Sequence, residues 1–127
     1  MAARFAGIVL RATDKHATAR SYECLGLVAR KHEHGGPRQY EVGPPARDSV
    51  LEVYAKSAAF GGDAVMVDVD SLDAALAAVL APGEAPKAGP KDAGSVRFAY
   101  VTDPDGRSVM LIETRPDAGH DRGTGAP

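Results

Sequence analysis

The chain has no tryptophan, and aromatic residues make up only 6 % of it. Stacking of a planar ligand would rest on Tyr40, Tyr54, Phe60, Phe98 or Tyr100, which argues against a large glycopeptide as ligand. Cysteine occurs once, at Cys24. A single cysteine excludes a disulfide framework and a cysteine-based zinc site within one chain. It fits a reducing, cytoplasmic compartment. Basic residues are not in excess: 15 Lys and Arg stand against 17 Asp and Glu. Nothing neutralises a row of phosphates, so no nucleic-acid partner is expected. No apolar run reaches the roughly 20 residues of a membrane-spanning helix. Met1 to Arg11 has no long apolar stretch of the kind a secretory signal needs. No membrane partner is expected.

What is present is an ordinary globular composition, 44 % hydrophobic and 25 % charged over 127 residues. That length suits one domain, here residues 1–114, followed by a tail at 115–127 rich in Gly, Pro, Asp and Arg. Each half reads strand, helix, then strands. Phe5 to Arg11 is β-branched and apolar, and Asp14 then caps a helix over Lys15 to Cys24. Gly26 supplies a left-handed end to that helix. Strands follow at Leu27 to Glu33, Arg38 to Val42 and Ser49 to Ala55. Ala64 to Val69 opens the second half, and Asp70-Ser71 caps a helix through Leu80. Its apolar residues Leu72, Ala75, Leu76, Val79 and Leu80 have helical spacing and predict one buried stripe. A strand is expected near Ala85 to Ala88, then Val96 to Thr102 and Ser108 to Thr114, joined by a tight turn at Asp103-Pro104-Asp105-Gly106. Arg38 to Val53 also echoes Arg97 to Ile112, which suggests a duplicated βαβββ unit.

Two such units resemble the vicinal oxygen chelate superfamily: glyoxalase I, extradiol dioxygenases, fosfomycin-modifying enzymes and bleomycin-resistance proteins. The matching segments are Ile8 to Asp14, Tyr22 to Leu27, Val50 to Tyr54, Val69 to Leu76, Asp103 to Gly106 and Val109 to Glu113. The resemblance implies an α+β fold: two tandem βαβββ modules, about 5–56 and 63–114, forming a curved, cup-shaped mixed sheet with helices on the outer face. It also implies a homodimer. Metal-dependent members carry ligands at four positions, usually His or Glu. Carried over, these fall on Gly7, Glu52, Ala64 and Met110. Of the four only Glu52 suits a hard or borderline cation. A shift of one residue at the third position would bring in Asp63. The expectation is no metal and no other cofactor.

Strand alternation places Val50, Glu52 and Tyr54 on one face and Leu51 and Val53 on the other. In the cup reading Glu52 points inward as the candidate catalytic residue; otherwise it is an exposed carboxylate. Arg11 shares parity with Gly7 and Val9. It either pairs with Glu52, grips an anionic ligand, or is a surface arginine at a strand end. The expected ligand-binding set is Val9, Arg11, Tyr54, Met66, Asp68, Phe98, Tyr100, Met110 and Ile112. His32 and His34 share one strand face, which makes a two-histidine metal site conceivable, but with no third ligand at helpful spacing they read rather as a solvated strand end; Cys24 reads as a small buried hydrophobe. The leading reading is a metal-independent protein that sequesters a small, partly hydrophobic molecule. The alternatives are a lyase, isomerase or dioxygenase with Glu52 as base or metal ligand, and a module that only dimerises.

Overall fold

The computed structural model describes residues 2–32, 39–43, 50–56 and 62–115. The elements run β1 (Ala3–Ala12), α1 (Lys15–Glu23), β2 (Val28–His32), β3 (Gln39–Gly43), β4 (Val50–Ala55), β5 (Ala64–Val69), α2 (Leu72–Val79), β6 (Ala88–Ala93), β7 (Val96–Thr102) and β8 (Ser108–Thr114). Among the described residues, strands in mixed pairing with two helices make the fold α+β. The chain divides into two compact units. The first is Ala6–Met66; the second is Met1–Phe5 with Val67–Pro127. No helix among the described residues is long and apolar enough to cross a membrane.

In the first unit the strands lie in the order β2-β3-β4-β1. β1 runs parallel to β4, and the other two pairings are antiparallel. Asp14 starts α1 by accepting from the Ala17 amide at 3.0 Å, which satisfies one of the donors a helix start leaves over. Gly26, at φ +96°, turns the chain out of the helix. α1 lays Ala19 and Tyr22 on a core of Ala12, Val42 and Val53, with Leu10, Tyr40 and Leu51 packed around it. Two expectations change here. Cys24 is exposed rather than buried, because it caps α1 beyond that stripe. Tyr40 lies on the α1 side of the sheet, its hydroxyl 2.6 Å from His16 Nδ1, so it is unavailable to a ligand on the opposite face.

In the second unit the order is β5-β8-β7-β6. Ser71 caps α2 by accepting from the Ala74 amide at 3.1 Å. Glu113, on β8, accepts from the Leu72 amide at 2.6 Å, a carboxylate at the positive end of the helix. Leu72 and Ala75 are buried on a core of Val69, Ala99, Val101 and Leu111. Leu72 has no exposed surface, so its truncation to Ala would cost about 2–5 kcal/mol. Leu76 and Leu80 pack at the margin of that core, but Val79 stays 55 % exposed and drops out of the expected stripe.

The sixth strand differs most from expectation. It occupies Ala88–Ala93 rather than residues near 85–88. Its Gly-Pro-Lys-Asp interior has poor strand propensity, but among the described residues it sits at the end of its strand order, paired with β7 on one side, where proline is tolerated. A register shift between Ala88 and Lys91 absorbs Gly89, at φ +82°. A Cβ there would come 2.8 Å from the Phe98 carbonyl oxygen, so the close approach demands glycine. Residues 116–127, most of the expected tail, lie outside the described residues.

Candidate functional site

In each unit, the sheet face turned away from the helix carries the candidate residues. In the first unit Leu10, Ala12, Leu51 and Val53 pack with α1. Alternation therefore directs Val9 and Arg11 on β1, and Glu52 and Tyr54 on β4, to the opposite face. The ladder sets Val9 beside Glu52 and Arg11 beside Tyr54. The Arg11 guanidinium lies over the Tyr54 ring, 4.5 Å from its centroid. The Tyr54 hydroxyl donates to Glu52 Oε1 at 3.3 Å. Asp63 accepts from the Arg11 backbone amide at 2.9 Å, which ties its carboxylate to β1. Val9 and Met66 are buried, at 1 % and 2 % exposure.

A further carboxylate joins this face. Glu41 on β3 stands directly opposite Glu52, and Arg30 on β2 stands opposite Glu41. Val9, Glu52, Glu41 and Arg30 thus form one row across four strands. Like charges opposite one another destabilise a sheet unless they are compensated, so this row concentrates polar chemistry. Glu41 is only 8 % exposed. Sequence reading passed over it, although Tyr40 and Val42 on the helix side already imply its direction.

In the second unit Val67, Val69, Ala99, Val101, Val109 and Leu111 pack on the α2 side. Asp68, Phe98, Tyr100, Met110 and Ile112 take the other parity. The β7–β8 register sets Phe98 beside Ile112, Tyr100 beside Met110 and Thr102 beside Ser108. Phe98 and Tyr100 meet edge to face, with ring centroids 6.0 Å apart. Asp68 is ion-paired to Arg4 at 2.7 Å. An open groove of about 430 Å³ runs past this pair, with Ala3, Asp70, Ile112 and Thr114 also along it. Lys87, ahead of β6, donates from Nζ to Ser108 Oγ at 2.6 Å. The side chains of His32 and His34, and all of Phe60, lie outside the described residues.

The four positions onto which the resemblance carries the metal ligands, Gly7, Glu52, Ala64 and Met110, do not fit a metal here. Gly7 and Ala64 offer no donor side chain, and the Met110 thioether is soft. Gly7 goes further: its φ is +143°, and a Cβ there would lie 1.9 Å from the Val50 carbonyl oxygen. With this backbone no ligating side chain can stand at position 7. Among the described residues, no three His, Cys, Asp or Glu side chains gather as a metal site.

No family model and no curated protein sequence matches the chain. Solved structures do. Methylmalonyl-CoA epimerase in complex with methylmalonyl-CoA and NH4+ superposes with a TM-score of 0.68 at 16 % identity, covering 91 % of this chain and 97 % of that one. Streptomyces coelicolor methylmalonyl-CoA epimerase gives 0.64 at 17 % identity, over 89 % and 95 % of the two chains. The 2,2',3-trihydroxybiphenyl 1,2-dioxygenase of Sphingomonas wittichii strain RW1 gives 0.56 at 18 % identity, over 86 % of this chain and 41 % of that one. At such identities the likeness speaks for architecture and not for chemistry. Strand order, helix placement and these superpositions agree: the chain has the vicinal oxygen chelate fold.

Proposed function

We propose that this protein binds a small, partly hydrophobic molecule, without a resident metal, on the sheet faces turned away from α1 and α2. The observation that carries the reading is Gly7. Its backbone leaves no room for a side chain at the position onto which the resemblance carries the first metal ligand. Glu52 alone of the four positions keeps a donor for a hard cation, and one carboxylate with waters holds no catalytic metal at trace concentration. Binding is supported by the mixture of side chains on these faces. In the second unit the half-buried Phe98, Met110 and Ile112 supply apolar surface beside Asp68, and in the first unit Arg11, Glu52 and Tyr54 supply polar groups. A methionine makes such a wall adaptable.

A second reading has its own observation. Glu52 accepts from the Tyr54 hydroxyl on the candidate face, so its carboxylate is positioned as a general base would be. That arrangement suits a metal-free isomerase or lyase; the epimerases of the same fold make an acyl thioester one substrate class to try. Thermal-shift screening against small metabolites, acyl thioesters and antibiotics tests both readings. A ligand at one hundred times its Kd adds roughly 2.7 kcal/mol of stability. Stabilisation without turnover supports the binder. Turnover that disappears in Glu52→Gln supports the enzyme. No hit across the screen rejects both and leaves a dimerising module.

A further inference from the structure

We infer that Lys87 and Ser108 anchor a carboxylate group, so that the bound molecule is a small organic anion with an apolar body. This rests on the binding reading above and names the class of ligand. The Lys87 backbone amide donates to the Tyr100 carbonyl at 2.8 Å, which fixes residue 87 beside β7. Its ammonium then reaches Ser108 Oγ at 2.6 Å. Ser108 is 7 % exposed and shares the face of Tyr100, Met110 and Ile112. A long, flexible lysine thus directs its charge at a buried hydroxyl.

Many other charged side chains of this unit have ionic partners. Asp68 is paired with Arg4, Asp73 with Arg97, Asp92 with Arg115, and Asp103 and Asp105 with Arg107. The Glu84 carboxylate accepts from the Ala81 amide. None of the ion pairs among the described residues takes Lys87. The hydrogen count points the same way. A hydroxyl that accepts from an ammonium still has its own O–H to donate, and the ammonium keeps two further N–H groups. Such a pair presents donors and positive charge, which an acceptor-only carboxylate complements. Met110 and Phe98, both half-buried, lie next along the same face, Phe98 braced against the Tyr100 ring, and suit an apolar, preferably aromatic, body.

The test compares phenylacetate with 2-phenylethanol, which has the same body without the charge, by NMR titration of the full chain. Phenylacetate should bind about ten-fold more tightly or better, as expected for one charge-assisted hydrogen bond. Lys87→Met and Ser108→Ala should each remove that preference. Circular dichroism shows whether each variant folds; Lys87→Arg, which keeps the charge, should retain most of the preference if Lys87→Met does not fold. Equal affinity for the two probes overturns the anchor but leaves the binding reading standing. A preference that survives Lys87→Met overturns it as well, by placing the anion elsewhere. Binding of neither probe at millimolar concentration overturns the anchor, and the wider reading then stands or falls on the ligand screen alone.

Discussion

Arg11 stacks on Tyr54, its guanidinium carbon 4.5 Å from the ring centroid, and Tyr54 in turn donates to Glu52 at 3.3 Å. The parallel register of β1 and β4 makes the contact, since it sets residues 11 and 54 side by side. A cation on a ring face outside bulk water is worth about 0.5–2 kcal/mol. A double-mutant cycle of Arg11→Met and Tyr54→Leu should return a coupling in that range by urea unfolding. Tyr54→Phe keeps the ring and loses the hydrogen bond to Glu52, which should cost about 0.5–1.5 kcal/mol. A cycle with zero coupling would mean that the stacking adds nothing in solution.

Gly7→Ala should be severe. The substituted residue would hold both a positive φ and a methyl group driven onto the Val50 carbonyl. The expected loss is about 3 kcal/mol or more, read from the urea midpoint. Gly7→His should likewise fail to create a metal site, because the strand must part from β4 before the imidazole fits.

Metal should not bind stoichiometrically through Glu52. Protein purified without chelator or affinity tag is to be analysed for metals and titrated with Ni²⁺, Zn²⁺ and Mn²⁺. A stoichiometric ion that vanishes in Glu52→Gln would reverse the metal-free reading and move the enzyme to first place.

Acid should loosen the turn before β8. The Asp103 carboxyl is held below the usual aspartate range, chiefly by the Arg107 backbone amide at 2.8 Å, and also by the Asp105 amide at 2.9 Å. A depressed folded value contributes stability that is present above the unfolded value and is lost as pH falls through the folded one. Below about pH 4 the parent should therefore lose stability faster than Asp103→Asn, whose turn does not titrate. Parallel slopes of stability against pH would refute this.

A homodimer is the expected assembly. β2 and β6 end the strand orders of their units, and Leu25 and Val28 remain 76 % and 36 % exposed beside β2. Light scattering at micromolar concentration should return twice the 13.2 kDa chain mass. A monomer mass there refutes it.

Local physics made much of the fold readable in advance. β5, β7 and β8 have the bounds that apolar alternation marks, and Asp14 and Ser71 cap their helices because short side-chain acceptors satisfy amides three residues away. Alternation likewise set Glu52 and Tyr54 apart from Leu51 and Val53 before any coordinates. Other features depended on which strand lies beside which. β6 is a strand only because β7 offers it a ladder, despite Gly89 and Pro90. Glu41 meets Glu52 through the register of β3 on β4, and Lys87 meets Ser108 across residues 21 apart in the chain. Gly7 looked like a missing ligand in the sequence; its φ of +143° and the nearby Val50 carbonyl make it a position where no side chain fits. Periodicity and caps act within a few residues, so the sequence alone determines them. Register and close approach are settled between distant segments, and only the tertiary structure decides them.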